Sequence, residues 1–292
     1  MKPAPFEYDD PRSVDETIGL LASYGDECKV LAGGQSLVPL MNFRLARPGR
    51  LVDINGVESL GQIRVENGRL LLGAMVRHSQ VERSNDIAAR WPLLHDAIVW
   101  VGHAQIRNRG TVGGSVVHAD PAAELPCALA ALDAKFHVLS KRGPRVLRWD
   151  QIFVSEFTTS LAPDELLTAI EVPPRDPSTG VAFVEYARRH GDFALGGAAV
   201  SIALARNGAC SDIAISLLSA GPRPVRAEEA ERRLKGSQVD AAAIKQASAA
   251  AVQGLHPTSD LHGSSEYRVK LLQVMTERAL TKAAERASRR AA

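Results

Sequence analysis

The chain has 292 residues, of which 45% are hydrophobic and 23% charged, with 35 Lys and Arg against 33 Asp and Glu for a formal net charge of +2. That balance, with only 5% aromatic residues, provides no basic stripe with stacking rings, which argues against a nucleic-acid partner. The length exceeds what one core ordinarily fills, so two domains are expected.

No apolar run approaches the ~20 residues of a membrane span. Residues 1–8 lack the hydrophobic stretch of a signal peptide, so a cytoplasmic protein is expected. Cys28, Cys127 and Cys210 lie far apart with no Cys-x-x-Cys pair. This excludes a disulfide framework and a zinc site, and leaves too few thiolates for an iron–sulfur cluster.

In chain order, Ser13-Val14-Asp15-Glu16 reads as a capping box opening a helix over 14–23. A strand over 29–32 runs into Gly33-Gly34, a helical crossover follows at 37–43, and a strand at 51–54 completes a β–loop–α–β unit. The glycine loop thus sits at the carboxyl end of a strand, where α/β folds bind ligands. Strands at 62–65 and 69–72 flank Asn67-Gly68, a strong hairpin signal. The pattern is helical over 84–102, broken at Trp91-Pro92, and Pro121 is expected to open a helix through 132. Strands follow at 135–139, 145–148 and 165–172.

Residues 173–180, with three prolines, form the best domain boundary. Beyond them strands are predicted at 181–188, 198–205 and 213–218, and helices at 227–235, 239–253 and 265–286. In the last helix Tyr267, Leu271, Val274, Met275 and Leu280 share a face, which assigns Tyr267 and Met275 to the core.

Gly33-Gly34-Gln35-Ser36 and Gly113-Gly114-Ser115 each place a glycine pair beside a hydroxyl. Such a pair aims backbone N–H groups at a phosphate without a Cβ in the way. Two of them suggest a ligand with two phosphates, although the first alone reads better as a tight turn between a strand and a helix. Asp53 stands where a Rossmann fold carries its ribose carboxylate, yet the G-x-G-x-x-G spacing is absent. There is no P-loop lysine.

Asp120 and Glu124 read either as acceptors for sugar hydroxyls or as charges favoured at a helix start. His78, His103 and His118 match no metal spacing, so no metal site is assigned. No nucleophile motif is visible, and His190-Gly191-Asp192-Phe193 reads as a surface turn or as a turn carrying a flavin-facing ring. With no catalytic residue assigned, the chemistry is expected to reside in a cofactor.

Three runs in order, Leu31-Ala32-Gly33-Gly34-Gln35-Ser36-Leu37, Arg107-Asn108-Arg109-Gly110-Thr111-Val112-Gly113-Gly114-Ser115 and Ala119-Asp120-Pro121-Ala122-Ala123-Glu124-Leu125-Pro126, resemble the FAD-binding medium subunit of molybdenum hydroxylases. That is the xanthine dehydrogenase and carbon monoxide dehydrogenase family. The similarity extends through 158–167 and 188–194 to 221–227.

The resemblance implies an α+β fold. A two-part FAD-binding domain of the vanillyl-alcohol-oxidase (PCMH) type would span 1–176, with subdomains of about 1–56 and 57–176, and a small α+β domain would span 177–292. It places Ala32, Gly33, Gly34, Gln35, Ser36 and Leu37 with Thr111, Val112, Gly113, Gly114 and Ser115 around the pyrophosphate and ribityl chain. His118, Asp120 and Glu124 would lie along the sugar and adenine. Leu166 or Leu167, with Asp192 and Phe193, would approach the isoalloxazine. Many relatives carry His at Gln35, which leaves Gln35 a hydrogen-bonding role, and Asp at Glu124, which keeps the acceptor.

The implied function is electron transfer through non-covalent FAD to an external acceptor. A large molybdenum–pterin subunit and a small subunit with two 2Fe–2S clusters would be the partners, in a dimer of heterotrimers. A self-contained FAD-dependent oxidase of the vanillyl-alcohol-oxidase type is the alternative. It would need an acid or base over the flavin, and no clear candidate is found.

Overall fold

The computed structural model describes residues 2–291. The chain opens with β1 (Glu7–Asp9), α1 (Val14–Tyr24), β2 (Cys28–Leu31), α2 (Leu37–Asn42) and β3 (Arg50–Asp53). The strands form a parallel sheet in the order β1-β3-β2. Ser13 caps α1 by accepting the Glu16 amide at 3.1 Å, while the Glu16 carboxylate reaches past it to the amide of Arg12 at 2.7 Å. The capping box therefore closes one residue early.

Next come β4 (Ile63–Glu66) and β5 (Arg69–Gly73), then six short helices: α3 (His78–Arg83), α4 (Asn85–Arg90), α5 (Pro92–Ile98), α6 (Ala104–Arg109), α7 (Val112–His118) and α8 (Glu124–Ala131). They are followed by β6 (Lys135–Ser140), β7 (Gly143–Arg148), α9 (Trp149–Ile152), the short pair β8 (Phe153–Ser155) and β9 (Thr158–Thr159), and β10 (Leu166–Val172). The antiparallel sheet runs β4-β5-β10-β6-β7. Its first hairpin pairs Glu66 with Arg69 across Asn67 and Gly68, both at positive φ as a type I′ turn requires.

The last third holds β11 (Gly180–Tyr186), β12 (Gly196–Leu204), β13 (Cys210–Leu218), β14 (Val225–Arg226), α10 (Glu228–Leu234), α11 (Ala241–Ala251) and α12 (Ser265–Ala291). The four strands pair antiparallel in sequence order. This sheet is buried on both faces. Ala182, Val200, Ile215 and Leu217 pack with Leu272, Ala279, Leu280 and Ala283 of α12. Val181, Phe183, Ala199 and Leu218 point the other way, into the core that also holds α5, α8 and the central antiparallel sheet. The fold is α+β, as expected.

Three expectations are corrected. Gly113 and Gly114 are not a loop but the first turn of α7, because Thr111 caps the helix and its Oγ1 accepts the Gly114 amide at 3.1 Å. The helix expected from Pro121 starts at Glu124, since the Asp120 side chain folds 120–122 into a turn by accepting the Ala122 amide at 2.8 Å. Tyr267 is 44% exposed and lies outside the core, whereas Met275 is 2% exposed. The buried stripe of α12 passes instead through Leu272, Met275, Ala279, Leu280 and Ala283, at the spacing of one helix face.

Candidate functional site

At the end of β2 the chain turns through Ala32, Gly33, Gly34, Gln35 and Ser36 before α2 begins at Leu37. Gly34 takes a φ of +73°, a conformation that glycine reaches without strain. Among the described residues, the amides of Gly33, Gly34, Gln35 and Ser36 have no acceptor in the chain. Gly33, Gly34 and Gln35 border an open cleft of about 350 Å³ lined also by Val38, Pro39, Asp53, Asn55 and Arg109. The Gln35 side chain is turned back on the loop, its Nε2 donating to the Gly33 carbonyl at 3.0 Å.

A hydrogen-bonded chain crosses beneath this cleft. Tyr8 donates to Asp53 at 2.7 Å, and Asp53 accepts the Asn55 amide at 2.9 Å. Asn55 donates to the Ala32 carbonyl at 2.8 Å and accepts from Arg77 at 2.5 Å, and Arg77 also donates to the carbonyl of Arg109. Burial opposes ionisation of Asp53, but hydrogen bonds from Asn55 and Tyr8 outweigh it and hold the carboxyl below its ordinary range. Arg77 is lowered by burial and by the neighbouring charge of Arg109. The guanidinium of Arg109 has no acceptor among the described residues. Free amides beside an unpaired cation make an anion site.

Behind the cleft, His78 is 4% exposed; its Nε2 meets the Thr111 carbonyl at 2.9 Å and its amide donates to the Gly110 carbonyl at 3.0 Å. Burial pushes the imidazole down to about 4, so at neutral pH it is uncharged and Nε2 carries the proton. Arg107 forms a two-pronged pair with Glu82 at 2.8 and 2.9 Å and donates to the carbonyls of Val101 and Gly102.

The second glycine pair works differently from the first. The amides of Val112, Gly113, Gly114 and Ser115 are all taken, by Val76, Ala74 and Thr111. What glycine provides here is close approach: a Cβ on Gly113 would stand 2.6 Å from that of Ala74. One on Gly114 would stand 2.7 Å from Thr111 Oγ1 and 3.7 Å from the Ala32 Cβ. The two glycine runs therefore meet.

At the far end of α7, ~10 Å away at 1.5 Å per residue, His118 lies beside Phe157 with ring centroids 5.1 Å apart. Burial lowers its imidazole. Glu124, the first residue of α8, is 8% exposed; burial raises its carboxyl to about 7 and the charge of Asp120 adds to the effect. Ser219 joins this segment to the loop after β11, donating its amide to the Pro121 carbonyl at 2.8 Å and its hydroxyl to the Ala194 carbonyl at 2.7 Å. That loop carries a half-buried Asp192 and a Phe193 that is 75% exposed. It is braced where His190 stacks on Trp100.

The structure thus brings residues 32–37 to 111–115, and ties the 118–124 segment at Pro121 to Ala194, next to Phe193, through Ser219. Leu166 and Leu167 differ. Each is 3% exposed and packs into a separate apolar cluster, so only their backbone, next to the bulge at Thr168, is left for a ligand. Arg77, Arg109 and Asn55 were not among the sequence candidates. Arg109 stood inside a quoted motif, but no local signal marks the others.

Residues 4–175 match the profile of the FAD binding domain in molybdopterin dehydrogenase, and residues 181–283 match that of the CO dehydrogenase flavoprotein C-terminal domain. The chain belongs to the FAD-binding medium-subunit family of the molybdenum hydroxylases. It is 46% identical to the 6-hydroxypseudooxynicotine dehydrogenase complex subunit alpha of Paenarthrobacter nicotinovorans, over 98% of this chain and 97% of that one. It is 36% identical to the carbon monoxide dehydrogenase medium chain of Hydrogenophaga pseudoflava, over 97% and 98%. In a solved structure of carbon monoxide dehydrogenase from that organism, one chain superposes with a TM-score of 0.96 at 37% identity, covering 98% of this chain and 99% of that one.

As a medium-subunit family member the chain is part of an oxidoreductase and binds FAD. The residues present fit that cofactor. Four unpartnered amides and one unpaired arginine suit a diphosphate, and α7 leads from them toward acceptors suited to hydroxyl groups and an exposed aromatic ring.

Proposed function

We propose that this chain is the electron-exit subunit of a heteromeric molybdenum hydroxylase. It would receive electrons from 2Fe–2S clusters on a small subunit and pass them through FAD to an external acceptor. Substrate oxidation would take place on a large molybdenum–pterin subunit, in a cytoplasmic dimer of heterotrimers. Residues 1–176 would form the FAD domain and 177–292 the C-terminal domain. The observation that carries this reading is the pairing of free amides at Gly33–Ser36 with Arg109 at one end of α7, and the joining of the Pro121 carbonyl to the loop carrying Phe193 through Ser219 at the other.

Within that reading each residue has a task. The amides of residues 33–36 and the Arg109 guanidinium hold the diphosphate, with Thr111, Gly113 and Gly114 setting how closely α7 approaches. His118, Asp120 and Glu124 take the sugar and adenine portion. Phe193 and Asp192, with the backbone at Leu166 and Leu167, flank the isoalloxazine. Bound FAD supplies a carrier that takes up and releases electrons singly or in pairs. Attachment is non-covalent, in keeping with three cysteines that are all buried.

Purification of the full chain tests this directly. A yellow protein that releases intact FAD on denaturation is expected, whereas a colourless protein that takes up no FAD, or one whose flavin stays attached after denaturation, overturns the reading.

A further inference from the structure

Asp53 is an unexpected neighbour for an anion site. It lines the cleft together with Gly33, Gly34, Gln35 and Arg109, and its carboxyl, held below the ordinary range, is ionised at neutral pH. A negative charge on that wall repels a diphosphate. Both of its oxygens are engaged within the chain. Oδ2 accepts the Tyr8 hydroxyl at 2.7 Å, and Oδ1 accepts the backbone amide and Nδ2 of Asn55 at 2.9 and 2.5 Å.

What the carboxylate does is fix Asn55. Nδ2 of that residue also donates to the Ala32 carbonyl at 2.8 Å, and its Oδ1 accepts from Arg77 at 2.5 Å. Turned over, the amide would set its oxygen against the Ala32 carbonyl and the Asp53 carboxylate, and its NH2 against a guanidinium. Three attractive contacts would become repulsive, so a single orientation is allowed.

Arg77 carries the connection to the second glycine run. Its backbone bridges to Thr111, and its guanidinium also donates to the Arg109 carbonyl. Ala32 precedes the four free amides, and Arg109 supplies the cation of the cleft. Two side chains, Asn55 and Arg77, therefore span the gap between the two groups suited to a diphosphate.

We propose that Asp53 and Asn55 are positioning residues for the FAD diphosphate. The carboxylate touches no part of the cofactor; it locks the Asn55 amide in the orientation that keeps the amides of 33–36 and Arg109 together on one cleft. The proposal rests on the reading of this cleft as the diphosphate site.

The test is titration of the deflavinated full chain with FAD, followed by flavin fluorescence. Asp53→Ala removes a negative charge beside an anion and also frees Asn55. Charge alone would tighten binding, whereas release of the amide is expected to weaken it roughly tenfold. Asp53→Asn is expected to restore affinity to wild type or better: its carbonyl can take both Asn55 donors while its NH2 turns to Tyr8, whose hydroxyl then accepts. Asn55→Ala, an exposed position that keeps the test open should Asp53→Ala not fold, is expected to weaken binding as Asp53→Ala does. The double variant should lose no more than either single one, as residues acting through one link do. Tighter binding by Asp53→Ala, unchanged binding by Asn55→Ala, or losses that add in the double variant overturn the positioning role while FAD binding stands. Failure of wild type to bind FAD overturns the cofactor reading of the cleft, and the positioning role with it.

Discussion

Gly33 rests on the carbonyl of Arg109: a Cβ added to the glycine would lie 2.6 Å from that oxygen and 2.8 Å from the Cα of Gly110. The obstacle is backbone, which does not swing aside as a flexible side chain would. Gly33→Ala is therefore expected to push the 32–36 loop off the segment before α7, costing about 1–3 kcal/mol of stability. Thermal unfolding and the FAD content of the purified variant measure both effects; an unchanged Tm with full flavin would mean the contact is slack.

Arg109→Ala removes the one cleft cation that has no acceptor in the described chain. A lost charge-assisted hydrogen bond is worth about 1.5–3 kcal/mol, so FAD affinity is expected to weaken roughly 10- to 100-fold. Stability of the apo chain should hardly move. The salt dependence of FAD binding should also flatten in the variant, because a charge contact has been removed.

His78 gives the chain an acid-sensitive point. Its folded pKa of about 4 lies below the ordinary 6.5, so between those values the unfolded state binds the extra proton. Stability is lost as pH falls through that window, by on the order of 3 kcal/mol when complete. His78→Gln should lower stability at pH 7 yet show a flatter profile between pH 6.5 and 4 in urea unfolding. A parallel profile would mean that the histidine is not the titrating group.

Arg107 ties α6 to Glu82 while holding two carbonyls of the 101–102 turn. Arg107→Met should cost about 3 kcal/mol, because Glu82 and both carbonyls lose a buried partner. A larger loss is expected than for breaking the Arg232–Glu229 pair, where solvent screens both charges. Denaturant unfolding of the two variants side by side makes the comparison.

Local chemistry made much of this fold legible. Asn67-Gly68 specified its hairpin, Trp91-Pro92 broke the helical run where α5 begins, and Ser13 capped α1. Gly113-Gly114 misled because glycine pairs signal a loop, and whether one becomes a helical turn depended on Thr111 as cap and on Ala74 and Val76 accepting the amides. Tyr267 sits on the apolar stripe by period alone, but its exposure is decided by what α12 packs against. Arg77 and Asn55 could not be found locally, since their role comes from meeting across 22 residues of chain.

Because one face of the C-terminal sheet lies in the same core as α5 and α8, the two profile-matched segments do not stand as separable modules. A protease nick within residues 173–180 should leave both pieces associated and the FAD clamp intact. A gene fusion that exchanged one segment for a distant relative's would have to match Val181, Phe183, Ala199 and Leu218 to foreign helices. The two segments thereby share one core and are expected to unfold together.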